Sequence, residues 1–434
     1  MFSTVSGDLQ QTTSHKVVLP FYAYAAISFL VACIVLMLHT NVVKQHYFHP
    51  HTLAITHIMA LGWGTMIILG ASHQLLPVLV EGKLDSYLLA ISTFIFTAIG
   101  IPILAIGFYL FHTGWMLQVG AILINVGIVC YVVNVFASSF NSKKRNVHAW
   151  YMIAASLWLF STVFFGLLLV FNFNKNILPK DSLSYLTIHA HLGLIGWFLM
   201  LVIGVGSRLI PMFLISKYTN NRQLWWIFGL INASLISFII FKTMEYNSSI
   251  YYISIALAFI GIILFVRHCF LSYKVRIRKK VDEQMKTSLL SVVQMVFPFL
   301  ALLFVLILLP SGTHSNWSIL YGFCFFFGWI TAIILGMTFK TLTFIVWNKV
   351  YHKNAHAGKT PVPKELFNEK MYTAMLIAYI VGFLVFAIGI IILNDILLKS
   401  GAFALLLSAI LYVINSELLY FINQQMHEHE CNNE

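Results

Sequence analysis

Two histidines occupy equivalent positions in a sequence motif that recurs in this 434-residue chain and is called the repeated phrase below. His57 and His191 each come five residues before a Gly-Trp pair, and a third copy of the phrase has Phe323 at that position. Neutral imidazole is a good ligand for iron and copper, provided that its other ring nitrogen has a hydrogen-bond partner that fixes the tautomer. The matched pair therefore predicts metal or cofactor ligation. The simpler alternative is that each histidine bonds a neighbouring helix and only holds the bundle together.

The repeated phrase has the form G-W-x6-G and ends in a long polar residue twelve positions after the first glycine. Its first glycines are 134 and 132 residues apart, which indicates an internal repeat. The glycines either let helices approach closely or leave room for a flat macrocycle. The six glycines are Gly62 and Gly70, Gly196 and Gly204, and Gly328 and Gly336.

The long polar residues of the three copies are Gln74, Arg208 and Lys340. Arg208 and Lys340 are cations that are predicted to lie just inside the membrane. They either extend to the interface, as basic side chains near helix ends do, or bind an anion. The anion would be a lipid phosphate, a haem propionate or a substrate.

Two further histidines, His73 and His189, are second choices as ligands. His73 is sixteen residues after His57, so a regular helix would place the two rings on different faces and far apart. His189 is two residues before His191, so these two rings should point in opposite directions. The repeat therefore selects His191 rather than His189 as the counterpart of His57.

The elements that position these residues are membrane-spanning helices. Hydrophobic residues make up 60% of the chain and charged residues 9%, and apolar runs of about 20 residues recur throughout. The net charge of +12 comes from loops and does not point to nucleic acid. The predicted spans lie near 19–40, 52–79, 87–111, 114–138, 149–172, 185–215, 224–242, 251–271, 288–310, 317–347, 372–394 and 397–421.

The twelve spans predict an all-α polytopic membrane protein with three pseudo-symmetric units of four helices. The units are 19–138, 149–271 and 288–421, within one transmembrane domain covering 1–434. Of the 26 Lys and Arg residues, 19 lie in loops on the side of the N terminus and five on the other side. The positive-inside rule then places both termini in the cytoplasm.

This architecture resembles subunit I of the haem-copper oxidases and nitric oxide reductases. In that family a histidine of span two ligates haem and one of span six ligates copper, and His57 and His191 match those positions. The family's histidine pair in span seven and its H-x-H in span ten are missing here. The chain therefore resembles a divergent, NnrS-like branch of the superfamily.

The resemblance implies a haem-binding protein of the bacterial cytoplasmic membrane, with haem b and copper as the expected cofactors. It would serve electron transfer or nitric oxide and oxygen chemistry with an electron-donor protein, and not as a conventional proton-pumping oxidase. If it is an enzyme, it is an oxidoreductase. Two alternatives stay open: a cofactor-free transporter or channel for a small solute, and an assembly factor that handles haem or copper.

Overall fold

The computed structural model of the protein describes residues 13–142, 146–308, 315–351 and 361–431. These residues are 86% helical and form no β-strand, and twelve of their helices are long and apolar enough to cross a membrane. The prediction of an all-α polytopic membrane protein is confirmed. The helices are α1 His15–Leu38, α2 Pro50–Val80, α3 Tyr87–Tyr109, α4 Trp115–Phe140, α5 Val147–Lys175, α6 Ser182–Leu214, α7 Asn221–Thr243, α8 Tyr251–Lys274, α9 Glu283–Leu308, α10 Ser315–Tyr351, α11 Glu369–Ile392 and α12 Asp395–Cys431, of which Asp395–Glu417 is the candidate span.

The repeated phrase lies on the three longest candidate spans, α2, α6 and α10, and each contains a π-helical segment at the same point. The segments are Ile58–Thr65, Leu192–Leu199 and Cys324–Ile330. Each begins at the residue after the repeated histidine position. A π turn holds more residues than an α turn, so the geometry of a regular helix no longer gives the faces on which His57 and His73 lie.

The second glycine of each phrase lets the helix that carries it pack closely against the first helix of its repeat unit. A side-chain carbon built on Gly70 would lie 2.7 Å from Phe21 of α1, and one on Gly336 would lie 2.5 Å from the Ser288 hydroxyl of α9. The corresponding carbon on Gly204 would collide with Tyr151 of α5. These glycines therefore serve helix packing rather than leaving room for a macrocycle.

The third and fourth helices of a repeat unit also pack together through glycine. In the α3–α4 pair, a side-chain carbon on Gly120 would lie 2.7 Å from the Leu104 backbone nitrogen. In the α11–α12 pair, one on Gly401 would lie 2.6 Å from the Phe386 backbone nitrogen. The two pairs occupy equivalent places in the first and third repeat units, which is the pattern expected of an internal repeat.

The chain forms two compact units. The middle unit comprises Thr13 and the described residues of Ser72–Val281, and so holds α3 to α8 and the end of α2. The terminal unit comprises Ser14–Ala71 and Asp282–Glu434, and so holds α1, the first part of α2 and α9 to α12. His191 belongs to the middle unit and His57 to the terminal unit.

The packing of α10 on α9 leads to a prediction about Gly336. Alanine at this position would meet the Ser288 backbone nitrogen at 2.8 Å, and neither backbone can move far within packed helices. We expect Gly336→Ala to lower stability by about 1–3 kcal/mol, as overpacking does, and to lower the unfolding temperature in detergent. Gly322 on the same helix has nothing within 4 Å of such a carbon, so Gly322→Ala should be neutral or stabilising. Equal effects of both substitutions would contradict the packing role.

Candidate functional site

His57 lies in the terminal unit at the last turn of α2 before the first π segment. Its ring Nδ1 is 2.8 Å from the carbonyl oxygen of Leu53, four residues earlier on the same helix. The side chain is partly exposed. The ring is therefore tied to its own helix through Nδ1.

His191 lies in the middle unit and repeats this arrangement on α6. Its Nδ1 is 2.8 Å from the carbonyl oxygen of Thr187, again four residues earlier, and its side chain is also partly exposed. The ring centroid lies 4.7 Å from that of Phe238 on α7.

Asp181, just before α6, accepts a hydrogen bond from the Ser184 backbone amide at 2.8 Å. Hydrogen bonding by Ser184 also lowers the pKa of the Asp181 carboxyl, so this helix cap stays charged at neutral pH.

In both histidines Nδ1 is hydrogen-bonded to the carbonyl oxygen four residues earlier, and we call this bond the tether. The tether decides which ring nitrogen of His57 and His191 can bind a metal. A carbonyl oxygen only accepts hydrogen bonds, so Nδ1 must carry the proton and donate it. In the neutral ring Nε2 then carries the lone pair, which is the electron pair a metal ion takes. Both histidines are thus prepared in the same tautomer, at the same place relative to a π segment.

The third copy replaces the histidine by a packed aromatic cluster in the terminal unit. The ring of Phe323 stacks on Phe383 of α11 with centroids 5.6 Å apart and lies 4.7 Å from the ring of Phe386. Phe323 is buried and offers no donor atom. Any ligation at this repeated position is therefore restricted to the first two copies.

The second-choice histidines are both held by packing in the middle unit. A side-chain carbon on Gly166 of α5 would lie 2.8 Å from the His189 ring, whereas His191 faces α7. This difference confirms that His189 and His191 point in different directions. His73 is fully buried, and its ring lies 5.4 Å from that of Tyr131.

The tryptophan of the first phrase joins two π segments of the terminal unit. The Trp63 indole nitrogen donates to the Thr331 hydroxyl of α10 at 3.0 Å, and Thr331 donates to the carbonyl of Phe326 at 2.7 Å. Trp63 also stacks on Phe29 of α1, with ring centroids 4.6 Å apart. This tryptophan is therefore buried structural packing rather than the edge of a cofactor site.

The two repeated cations differ in their surroundings. Lys340, in the terminal unit, forms an ion pair with Asp282, and the two side chains are only 15% and 24% exposed. Asp282 also caps α9 by accepting a hydrogen bond from the Met285 backbone amide at 3.0 Å. Arg208, in the middle unit, is exposed. A protein carboxylate already neutralises Lys340, so of the two cations Arg208 is better placed to meet an external anion.

Two further buried histidines of the middle unit, His148 and His268, were not among the candidates that the sequence predicted. In the middle unit, His148 lies with Nδ1 3.1 Å from the Gly204 carbonyl and 3.3 Å from the Ser207 hydroxyl. His268 of α8 is buried beside the same Ser207. Each stands near the end of a span, where the sequence alone does not distinguish it from a solvated loop histidine.

The resemblance to the haem-copper oxidases gains no support from known sequences, because neither a known protein family nor a curated protein matches this chain. Among the residues that the structure describes, no three His, Cys, Asp or Glu side chains converge as a metal site would require. The ligation of iron or copper by His57 and His191 therefore stays a prediction, and its physical basis is the matched tether.

The Lys340–Asp282 ion pair leads to a prediction for a double-mutant cycle. Either Lys340→Met or Asp282→Asn leaves a poorly solvated charge, so each should lower stability by roughly 1–3 kcal/mol, between the values for exposed and buried pairs. The double substitution removes both charges and should cost less than the sum of the single changes. Thermal unfolding in detergent measures all three.

Lys286→Met is the matched control for this cycle. Lys286 pairs with Glu283 at 2.7 Å on the exposed side of α9, where both side chains are about 60% exposed. An exposed pair contributes little, so we expect this change to lower stability by less than about 1 kcal/mol. Additive effects of the Lys340 and Asp282 changes would show that the two charges do not depend on each other.

Proposed function

We propose that this protein is a haem-binding membrane protein in which His57 and His191 ligate iron through Nε2. The observation that carries the proposal is the identical tether, Nδ1 to the carbonyl four residues earlier at 2.8 Å in both helices, just before matching π segments. A hydrogen bond to the second ring nitrogen orients a ligating histidine and raises its basicity. π turns inside α-helices are frequent at functional sites.

The donor set favours haem over a bare metal ion. Copper or zinc held by side chains alone takes three or four protein ligands, and no such group of His, Cys, Asp or Glu occurs among the described residues. Haem iron takes four nitrogens from the porphyrin and needs only one or two from the protein. A single histidine with a fixed tautomer is therefore a sufficient protein ligand, and copper is the less supported cofactor.

The proposed activity is electron transfer or the chemistry of nitric oxide and oxygen, as in a divergent, NnrS-like relative of the haem-copper oxidases. Bound haem would supply the redox change, and an electron-donor protein would supply the electrons. His57 and His191 would each orient a haem iron in its own unit, and Arg208 would meet anionic lipid. The protein would lie in a bacterial cytoplasmic membrane with both termini in the cytoplasm, as its basic loops predict.

The visible spectrum of protein purified from haem-replete cells tests this proposal. We expect a Soret band that shifts on dithionite reduction and that is lost or altered in His57→Ala and His191→Ala. His73→Ala and His189→Ala are the matched controls, because these rings are held by packing, and they should leave the band nearly intact. Millimolar imidazole should partly restore the band in the two ligand variants, because it can occupy the place of the missing ring.

Three results would overturn the proposal. A colourless, iron-free preparation of correctly folded protein would favour the transporter or channel. Equal loss of the band in all four histidine variants would show that the tether does not distinguish ligands from packed histidines. Substoichiometric, exchangeable haem would instead favour the assembly factor.

A further inference from the structure

Helix α9 directs a row of polar side chains toward the interior of the terminal unit. Its outward positions Leu290 and Val293 are apolar and exposed. The inward row follows the three- and four-residue spacing of one helix face, and every member is buried. We call this row the α9 seam, and it consists of Gln284, Thr287, Ser288, Ser291 and Gln294. A helix that hides its polar face while exposing an apolar one is suited to lining a polar interior within a membrane.

The seam runs from the beginning of α9 to the third π segment. It starts beside Asp282, and twelve residues of helix carry it roughly 18 Å to Gln294. On the way the Tyr372 phenol donates to the Thr287 hydroxyl at 3.2 Å. At the far end the Gln294 side chain lies beside the Tyr379 phenol, which donates to the carbonyl of Gly328 at 2.5 Å. Gly328 belongs to the π segment of α10.

The hydroxyl groups of the seam do not by themselves require a ligand. Ser288 donates to the Gln284 carbonyl at 2.9 Å, Thr287 to the Glu283 carbonyl at 2.8 Å, and Ser291 to the Ser288 carbonyl at 2.7 Å. Small hydroxyl residues of this kind also serve helix packing in membranes. The hydroxyls are therefore compatible with a dry interface.

Gln294 is the residue that a dry interface does not explain. Its side chain is 5% exposed, and its Oε1 accepts no hydrogen bond from the residues that the structure describes. Tyr379 cannot supply one, because its single proton goes to Gly328. The indole nitrogen of Trp329, the residue after Gly328, is likewise buried without an acceptor in the described part of the chain. Each such group is destabilising when it is left unpaired in a dry interior, and a bound water can satisfy either the acceptor or the donor.

We propose that the α9 seam is a hydrated path that brings water and protons from the Asp282 end of α9 to the third π segment. Water molecules hydrogen-bond to Gln294 Oε1 and Trp329 Nε1 and connect them with the seam hydroxyls. Each water or hydroxyl accepts a proton on one side and releases one on the other, so one proton moves and no redox partner is needed. The path does not depend on haem binding.

Cysteine accessibility tests the path in the full chain, after the five native cysteines are replaced by alanine. Ser291→Cys and Ser288→Cys place a thiol in the seam, and Leu290→Cys and Val293→Cys place one at similar depth on the outward face. The probe is 2-aminoethyl methanethiosulfonate, with which a thiolate forms a mixed disulfide and releases methanesulfinate. A thiol reacts only after losing its proton, which needs water nearby.

We expect Ser291→Cys to react at least about ten times faster than Val293→Cys, because only the seam thiol can ionise. Its rate should also rise about tenfold per pH unit below the thiol pKa, which shows that protons exchange with the bulk. Equal, slow reaction at all four positions would overturn the proposal.

Hydroxyl-radical footprinting of the unmutated protein gives a second measurement that does not depend on variants that fold. Radicals form from water, so a buried side chain is modified only where water is bound beside it. We expect modification of Tyr379, which has no exposed surface, and none of Phe386, which is equally buried in the aromatic cluster of the same unit. An unmodified Tyr379 would contradict a hydrated seam.

Discussion

Backbone hydrogen bonding is the constraint on which the three longest spans depend. Inside a bilayer each amide and carbonyl must be satisfied by the protein, so a helix can change course only in ways that keep those bonds. A π turn does this, because it accommodates an extra residue while the backbone stays hydrogen-bonded. The same solution appears in α2, α6 and α10, immediately after the repeated histidine position.

The neighbouring side chains fit around these turns. In the terminal unit, Thr331 connects Trp63 to the carbonyl of Phe326 within the third π segment, and Tyr379 donates to Gly328 of the same segment. Hydroxyl groups thus bond π-segment carbonyls and link α2, α10 and α11. The repeated glycines then let the first helix of each repeat unit pack beside the helix that contains the π segment. The phrase is primarily a packing device, and two of its copies add a histidine with a defined tautomer.

Several parts of this arrangement were predictable because they depend on local properties of the chain. Span number follows from hydropathy, and the predicted spans agree with the helices to within a few residues at most ends. One exception is α9, which begins at Glu283 rather than near 288, because Asp282 caps a polar first turn that then faces inward. A hydropathy profile assigns such a polar turn to a loop rather than to the span. The repeat likewise predicted which positions are equivalent, and it separated His191 from His189.

Composition and spacing along the chain are sufficient to predict the membrane class, the twelve spans and the equivalence of His57, His191 and Phe323. Only the folded chain shows that π turns follow these positions, that Lys340 pairs with Asp282, and that the polar face of α9 is buried. Each of these depends on which helix lies alongside. A lysine, a glycine or a row of serines reads the same in a sequence whether it faces lipid, water or a neighbouring helix, and the neighbour alone decides its partner.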